Sequence, residues 1–324
     1  MVHRIWSVIP PVWKCRIVFS FALIAAISSL AAQSPSQSLD RADLLQNAPP
    51  ISDDPYDPIT GTDSSHAAAS PNDPDLGEQA ILKRQEHYRP FTVSVAAPFF
   101  YTSNVALTRT AERSDVIFAP AFSATYAPRL TKTLFATFSV GQQQFYYDQF
   151  NELNFGSFDG RAGLSYGLPT LHDLLLRVEY NYNRLTEHEF DSEFYSNHSI
   201  ALSAELPFRI GRAQQVGIGV QTNVSVASDP QGPRRHEFDG YVGYTVNLTR
   251  SLTASAVARI AVRDYVAGDR TDVSEILGLT ATYRFTKWLS ASATSTLASN
   301  QSNQSVFDYD VANVGGAVAV SFHF

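Results

Sequence analysis

The sequence predicts an all-β fold: a closed antiparallel transmembrane β-barrel of about 12 strands, preceded by a flexible N-terminal leader. Three observations carry this reading. The chain ends on Val-Ala-Val-Ser-Phe-His-Phe, which puts Val318, Val320, Phe322 and Phe324 on one face and small or polar residues on the other. A strand that is apolar at every second position up to its last residue needs a hydrophobic partner outside itself, and lipid is one. The other end of the chain reads as an export segment. From residue 91 onward, apolar and polar residues alternate with period two to the end.

At the N-terminus, His3, Arg4, Lys14 and Arg16 precede an apolar run over residues 17–32 that closes on Ser28-Ser29-Leu30-Ala31-Ala32. A charged start, an apolar middle and a small-residue end predict a secretory signal peptide over residues 1–32, cut near Ala32. The run of roughly 16 residues falls short of the ~20 that a spanning helix needs. Cys15, the only cysteine, precedes the apolar run and leaves with the signal. A mature chain without thiols has neither disulfides nor Cys-ligated metals, so its stability rests on packing or on closure of the fold.

Residues 33–90 are rich in Pro, Ser, Asp and Ala, as in Asn47-Ala48-Pro49-Pro50 and Asp53-Asp54-Pro55-Tyr56-Asp57-Pro58, with few large apolar side chains. That composition predicts a flexible periplasmic leader. Its one helical candidate, residues 76–88, carries only Leu76, Ile81 and Leu82 as aliphatic anchors, too few for an independent helix.

No other apolar stretch approaches spanning length, and mean hydropathy is only −0.12 with 15 Tyr and 21 Phe. Helical membrane proteins are excluded, whereas barrels escape hydropathy because outward and inward residues cancel. Residues 91–324 divide into about 12 strands, at 91–101, 115–126, 133–145, 154–168, 174–188, 198–210, 215–228, 236–249, 252–266, 273–286, 289–301 and 313–324. One hairpin more or fewer would give 14 or 10. Connections alternate between longer and shorter, which predicts a loop rim and a turn rim. An even strand number returns both ends to the turn rim, which is the periplasmic one.

Neighbouring side chains point to opposite faces, so the faces follow. Leu252, Ala254, Ala256, Ala258, Ile260 and Val262 face out, while Thr253, Ser255, Arg259, Arg263 and Tyr265 face in. Similar splits hold for Val216, Ile218, Val220, Val224 and Val226 against Gln215, Gln221, Asn223 and Ser225, and for Leu176, Val178 and Tyr180 against Arg177, Glu179 and Asn181. Aromatic residues gather at the strand ends: Phe99 and Tyr101 towards the loops, and Tyr126, Tyr166, Tyr283, Phe285 and Phe324 towards the turns. Such rings suit the headgroup zone. A β-sandwich also alternates, but it gives no reason for a signal, rim asymmetry and an aromatic tail together.

The exported leader, the alternating strands and the terminal Phe324 resemble bacterial outer-membrane β-barrel proteins of the porin-like kind. The resemblance covers residues 91–324. Its one local motif, the last strand with Phe322 and Phe324, is similar to the signal by which the barrel-assembly machinery recognises such proteins. The resemblance implies outer-membrane lipid and that machinery as partners, and a small polar solute as cargo.

The lumen is predicted to have two unlike walls. Ser290, Ser292, Thr294, Thr296, Gly315, Ala317, Ala319, Ser321, Ser94, Ala96, Ala119, Ala121 and Ser123 leave one wall nearly bare. The other carries Asp159, Arg161, Arg177, Glu179, Glu205, Arg209, Glu237, Asp239, Arg259, Arg263 and Arg284. Hairpin register predicts Arg161 opposite Glu179 and Asp239 opposite Arg263. These pairs brace the wall, or form a constriction whose transverse field orients polar solutes. The bare wall leaves room for water, a solute or the leader.

A passive channel for small polar solutes is therefore the expected function, with a structural or surface-contact barrel of filled or plugged lumen as the alternative, and a polysaccharide-export accessory barrel behind it. An enzyme is not expected: a barrel hydrolase pairs His with a Ser two residues along one strand, but His198 and Ser199 are adjacent and face oppositely. Asp308-Tyr309-Asp310 reads as a solvated acidic loop, and Asp191 with Glu193 matches no calcium loop, so no metal or cofactor is expected. With 31 acidic against 24 basic residues and no basic stripe, nucleic-acid binding is excluded. Gly-Arg-Ala at 160–162 and Gly-Ile-Gly at 217–219 are strand glycines, because no helix follows to bind phosphate.

Overall fold

The structure, a computed structural model, describes residues 34–46, 88–187, 192–210 and 213–324. The predicted signal and most of the leader, including residues 76–87 of the helical candidate, lie outside the described residues. The described residues from Pro35 onward belong to one compact unit.

A helix, α1 (Pro35–Gln46), comes first. The wall follows: β1 (Phe91–Thr102), β2 (Asp115–Phe118), β3 (Ala121–Tyr126), β4 (Leu134–Tyr147), β5 (Phe155–Leu168), β6 (Leu174–Glu187) and β7 (Glu193–Ile210). It continues with β8 (Gln214–Asp229), β9 (Arg235–Asn247), β10 (Leu252–Tyr265), β11 (Thr271–Arg284), β12 (Leu289–Ser302) and β13 (Tyr309–His323). Every pairing is antiparallel between chain neighbours, and β13 returns to β1 from Thr92↔His323 to Thr102↔Asn313, so no edge is left open.

Strands β2 and β3 are halves of one strand. Pro120 has no N–H to donate and interrupts the ladder, yet Ala119 N–H donates to the Pro98 carbonyl at 2.9 Å and Gln144 N–H to that of Pro120 at 3.0 Å. Thirteen segments with two halves of one strand make a twelve-stranded barrel, as the alternation predicts. The ends of the wall meet on the turn rim, where Phe324 N–H donates to the Phe91 carbonyl at 2.9 Å.

The exterior is a continuous apolar surface. Val95, Phe122, Val140, Leu164, Val178, Leu202, Val220, Val242, Ile260, Leu279, Val314 and Val318 all project outward and are exposed. The predicted rim aromatics Phe99, Tyr101, Tyr126, Tyr166, Tyr283, Phe285 and Phe324 are exposed as well. Trp288 stacks on Phe322 at 6.3 Å, and Phe91 on Tyr126 at 4.3 Å.

Two expectations are corrected. The hairpin pairs are displaced by two residues: Arg161 lies opposite Asn181, Glu179 opposite Gly163, Asp239 opposite Ala261, and Arg263 opposite Glu237. The turns decide this. Residues 169–173 contain a 3-10 turn over Pro169–Leu171 and two left-handed residues, His172 and Asp173, so pairing resumes at Leu168↔Leu174. The second correction concerns the leader, whose residues 35–46 form a helix inside the barrel. Pro35 at the first helical position has its φ pre-set for a helix, and Leu39, Ala42 and Leu45 recur at the spacing that makes one apolar face.

Candidate functional site in the lumen

A twelve-residue helix is marginal in water on its own, so the lumen must supply what holds α1. On one side, Ala42 and Leu45 pack in an apolar cluster with Val105, Ile117, Phe145, Tyr147, Phe155, Leu185 and Tyr195. On the other, Leu44 packs with Leu107, Ile276, Ala298, Tyr309 and Val311. The helix thus bridges opposite walls. Loop residues 103–114 fold against it: Arg41 Nε donates to the Val105 carbonyl at 2.8 Å, and Gln37 Nε2 to that of Ala106 at 3.2 Å. The gap left between helix and loop is about 10 Å³, the limit for one water.

Its acidic residues face the charged wall. Asp40 and Asp43, three apart, lie on one face of the helix. Arg235 Nη1 donates to Asp40 Oδ1 at 2.6 Å, and Arg259 Nη2 to Asp43 Oδ2 at 2.5 Å. Arg263 lies between them, with Nη2 2.8 Å from Asp43 Oδ2 and Nη1 3.7 Å from Asp40 Oδ1. Its Nε donates to Glu237 at 3.0 Å and its Nη1 to Ser274 Oγ at 2.6 Å. The Arg263 side chain is only 1% exposed and every nitrogen is engaged. Burial alone would raise the Asp43 carboxyl, but Arg259 and Arg263 hold it at about 2. Burial pushes the Arg41 guanidinium down from its ordinary value.

Below the helix the lumen is open. A cavity of about 660 Å³ runs from Tyr88, Thr92 and Phe135 at the turn rim to Leu39, Ala42 and Asp43 of α1. Its lining includes Asp159, Arg161, Arg177, Glu179, Glu237, Asp239 and Arg259 of the predicted charged wall. Within that wall, Asn183 donates to Asp159 at 2.9 Å, and Arg177 Nη1 lies 3.9 Å from Glu205, which also accepts from the Tyr241 hydroxyl at 3.3 Å. Tyr241 lies opposite Gly219, where any Cβ would collide with its ring. Arg209 and Arg284 lie on inward positions near the turn ends of β7 and β11, outside the cavity lining. The bare wall is contiguous: Ser94 pairs with Ser321 and Ser123, Ala96 with Ala319 and Ala121, and Thr294 with Gly315.

His198 and Ser199 do not meet. His198 Nδ1 shares a 2.5 Å hydrogen bond with the Tyr180 hydroxyl on the outer face, while Ser199 is buried on the inner one. Asp308 accepts from Ser302 N–H at 2.8 Å and pairs with Arg109 at 3.2 Å, and Tyr309 points into the core.

Sequence reasoning misses Asp40, Asp43 and Arg235. The signal that could find them is the inward face near the loops, where Ile117, Phe145, Phe155, Leu185, Ile276 and Val311 are apolar. A water-filled lumen gives no reason for such residues.

Comparison with known proteins agrees with this geometry. Residues 185–322 match the family model described as "Putative beta-barrel porin 2". An outer membrane channel from Pseudomonas putida F1 aligns over 72% of this chain and 96% of its own, with a TM-score of 0.52 at 10% identity. The chain has the β-barrel fold of that channel. The barrel is also similar, more distantly, to the translocator domain of the autotransporter NalP from Neisseria meningitidis (74% of this chain, 90% of that one, TM-score 0.43, 13% identity). For a KdgM porin the values are 71%, 99%, 0.38 and 9%. No curated protein matches the barrel by sequence.

Proposed function

We propose that the barrel is a non-enzymatic channel for small polar solutes whose loop side is closed by α1. The observation that carries this reading is the polar cavity of about 660 Å³, which rises from the turn rim and ends on Leu39, Ala42 and Asp43 of the helix. A barrel serving only as an anchor needs no such space, since side chains alone can fill a small lumen. Mixed charges on β5–β7 and β9–β10 face the small residues of β12, β13, β1 and β3, a lumen in which a polar solute keeps its hydration on one side and finds partners on the other. Residues 1–32 act as the export signal, both mature termini are periplasmic, and residues 33–90 form the leader that delivers α1. Phe322 and Phe324 act as the assembly signal. At about 3.3 Å per residue, residues 47–87 reach farther than any strand of the wall, so the helix can leave the lumen without leaving the protein.

Planar-bilayer recording of the purified mature chain tests this. The intact chain should show little or no unitary conductance. Asp40→Asn/Asp43→Asn should open intermittently, and removal of residues 33–46 should give a steady conductance. A barrel silent in all three forms is an anchor and not a channel.

A further inference from the structure

We propose that Arg235, Arg259 and Arg263 form a binding site for small dicarboxylates, occupied in this state by the Asp40 and Asp43 carboxylates of the chain's own helix. The inference rests on the channel reading and names the solute that its lumen would recognise.

On the wall, the three guanidiniums face Glu237 and Asp239, the acidic residues contributed there by β9, leaving an excess of one positive charge. Arg263 pairs with Glu237 at 3.0 Å, and Arg235 lies 4.0 Å from it. The guanidinium donors that the wall leaves unfilled are taken up from outside it by two carboxylates, which more than offset that excess. One bridges Arg235 and Arg263, at 2.6 and 3.7 Å, and the other bridges Arg259 and Arg263, at 2.5 and 2.8 Å. Planar guanidinium forks are suited to this bridging, and the bonds are charge-assisted. A free molecule can meet the same demand if its two carboxylates converge, as these do, on the two Nη atoms of Arg263. A four-carbon dicarboxylate is shorter than the Cβ–Cβ spacing of the two aspartates, and it fits because the site narrows to that one guanidinium. It also brings the same two negative charges to the three arginines.

The site is reachable. Asp43 and Arg259 line the cavity that opens at the turn rim, and their side chains keep 28% and 19% of their exposure, against 2% for Asp40 and 1% for Arg263. An anion in the cavity therefore meets the Asp43–Arg259 pair first and can displace the helix from the face it turns to the cavity. Stabilising anions among fixed guanidiniums also favours anion passage along the wall they line. The ligand is thus the agent that opens the lumen.

Full-length mature protein carrying Ser38→Cys tests the site without recourse to conductance. Ser38 is completely buried against the lumen, and the mature chain is predicted to have no other thiol. Its reaction with a water-soluble maleimide therefore reports release of the helix. Succinate should accelerate labelling at least tenfold in a saturable way, propionate at equal ionic strength should not, and Arg259→Ala should abolish the succinate effect. Arg263→Ala, which releases the helix without ligand, gives the labelling rate of the freed state. If that variant labels rapidly while succinate leaves the parent protein unchanged, the dicarboxylate site is refuted. The channel reading would still stand on the bilayer recordings. If propionate works as well as succinate, the arginines are a non-specific anion patch and the inference also fails.

Discussion

The two halves of the lumen are built from the same strands and solve opposite problems. Towards the loops, inward positions carry Phe145, Phe155, Leu185, Tyr195, Ile276 and Val311, and these pack around α1 with a residual gap of about 10 Å³. Towards the turns, inward positions on the same strands carry Asp159, Arg161, Arg177, Glu179, Asn181 and Asn183 and enclose about 660 Å³. The exterior does not register the change, because Val140, Leu164, Val178 and Leu279 keep an apolar surface throughout. A barrel wall can thus be lipid-facing along its whole height while half its interior is a dry core and half a wet vestibule. Strand alternation decides only what lies outside. The interior is set by what must fill it.

The largest effect is expected at Arg263. Removing it by Arg263→Ala leaves Asp40, Asp43 and Glu237 facing one another in a nearly dry place, and loss of one partner from a buried ionic cluster costs about 3–5 kcal/mol. The loop-side half should then release its helix. Protease digestion of the folded variant should cleave residues 35–46 far faster than in the parent protein, with the barrel itself intact.

A smaller effect is expected at Asp43. Asp43→Asn keeps the shape but loses charge-assisted bonds to Arg259 and Arg263, and because the group is partly exposed the loss should be about 1–2 kcal/mol. The pH dependence has a definite sign. The folded carboxyl, at about 2, lies below its ordinary value of 3.8, so its stabilisation is complete above pH ~4 and is lost as pH falls through about 2. Helix protection measured from pH 8 to pH 4 should not change on account of this group.

The smallest effect belongs to the turn-side half. Arg161 is exposed to the lumen and lies opposite Asn181 rather than a carboxylate. Arg161→Ala should shift unfolding by no more than about 0.5 kcal/mol, as read by denaturant titration of the refolded protein. A large loss there would mean that the vestibule wall is as tightly braced as the helix seat.

Most of the wall is legible in the sequence because a strand's outward and inward residues obey one rule, so Val216, Ile218, Val220 and Val224 declare both the strand and its lipid face. Register is less legible: the left-handed pair His172 and Asp173 moves Arg161 two residues along from Glu179, and neither residue type demands that conformation. Helix α1 is the least legible element. Its twelve residues hold few apolar anchors and sit in a Pro- and Ser-rich leader, and their helicity depends on contacts with residues far along the chain, among them Arg235, Arg259 and Val311. Local composition does not contain that information.

Hydrogen exchange of residues 35–46 in the intact, membrane-embedded protein tests the central arrangement most directly. A free peptide of this length exchanges at nearly the rate of a random chain, so protection can come only from the lumen. Slow exchange at Leu39 to Leu45, collapsing in Arg263→Ala, is the predicted result. Exchange of these amides in the intact protein at the rate of the free peptide would contradict it.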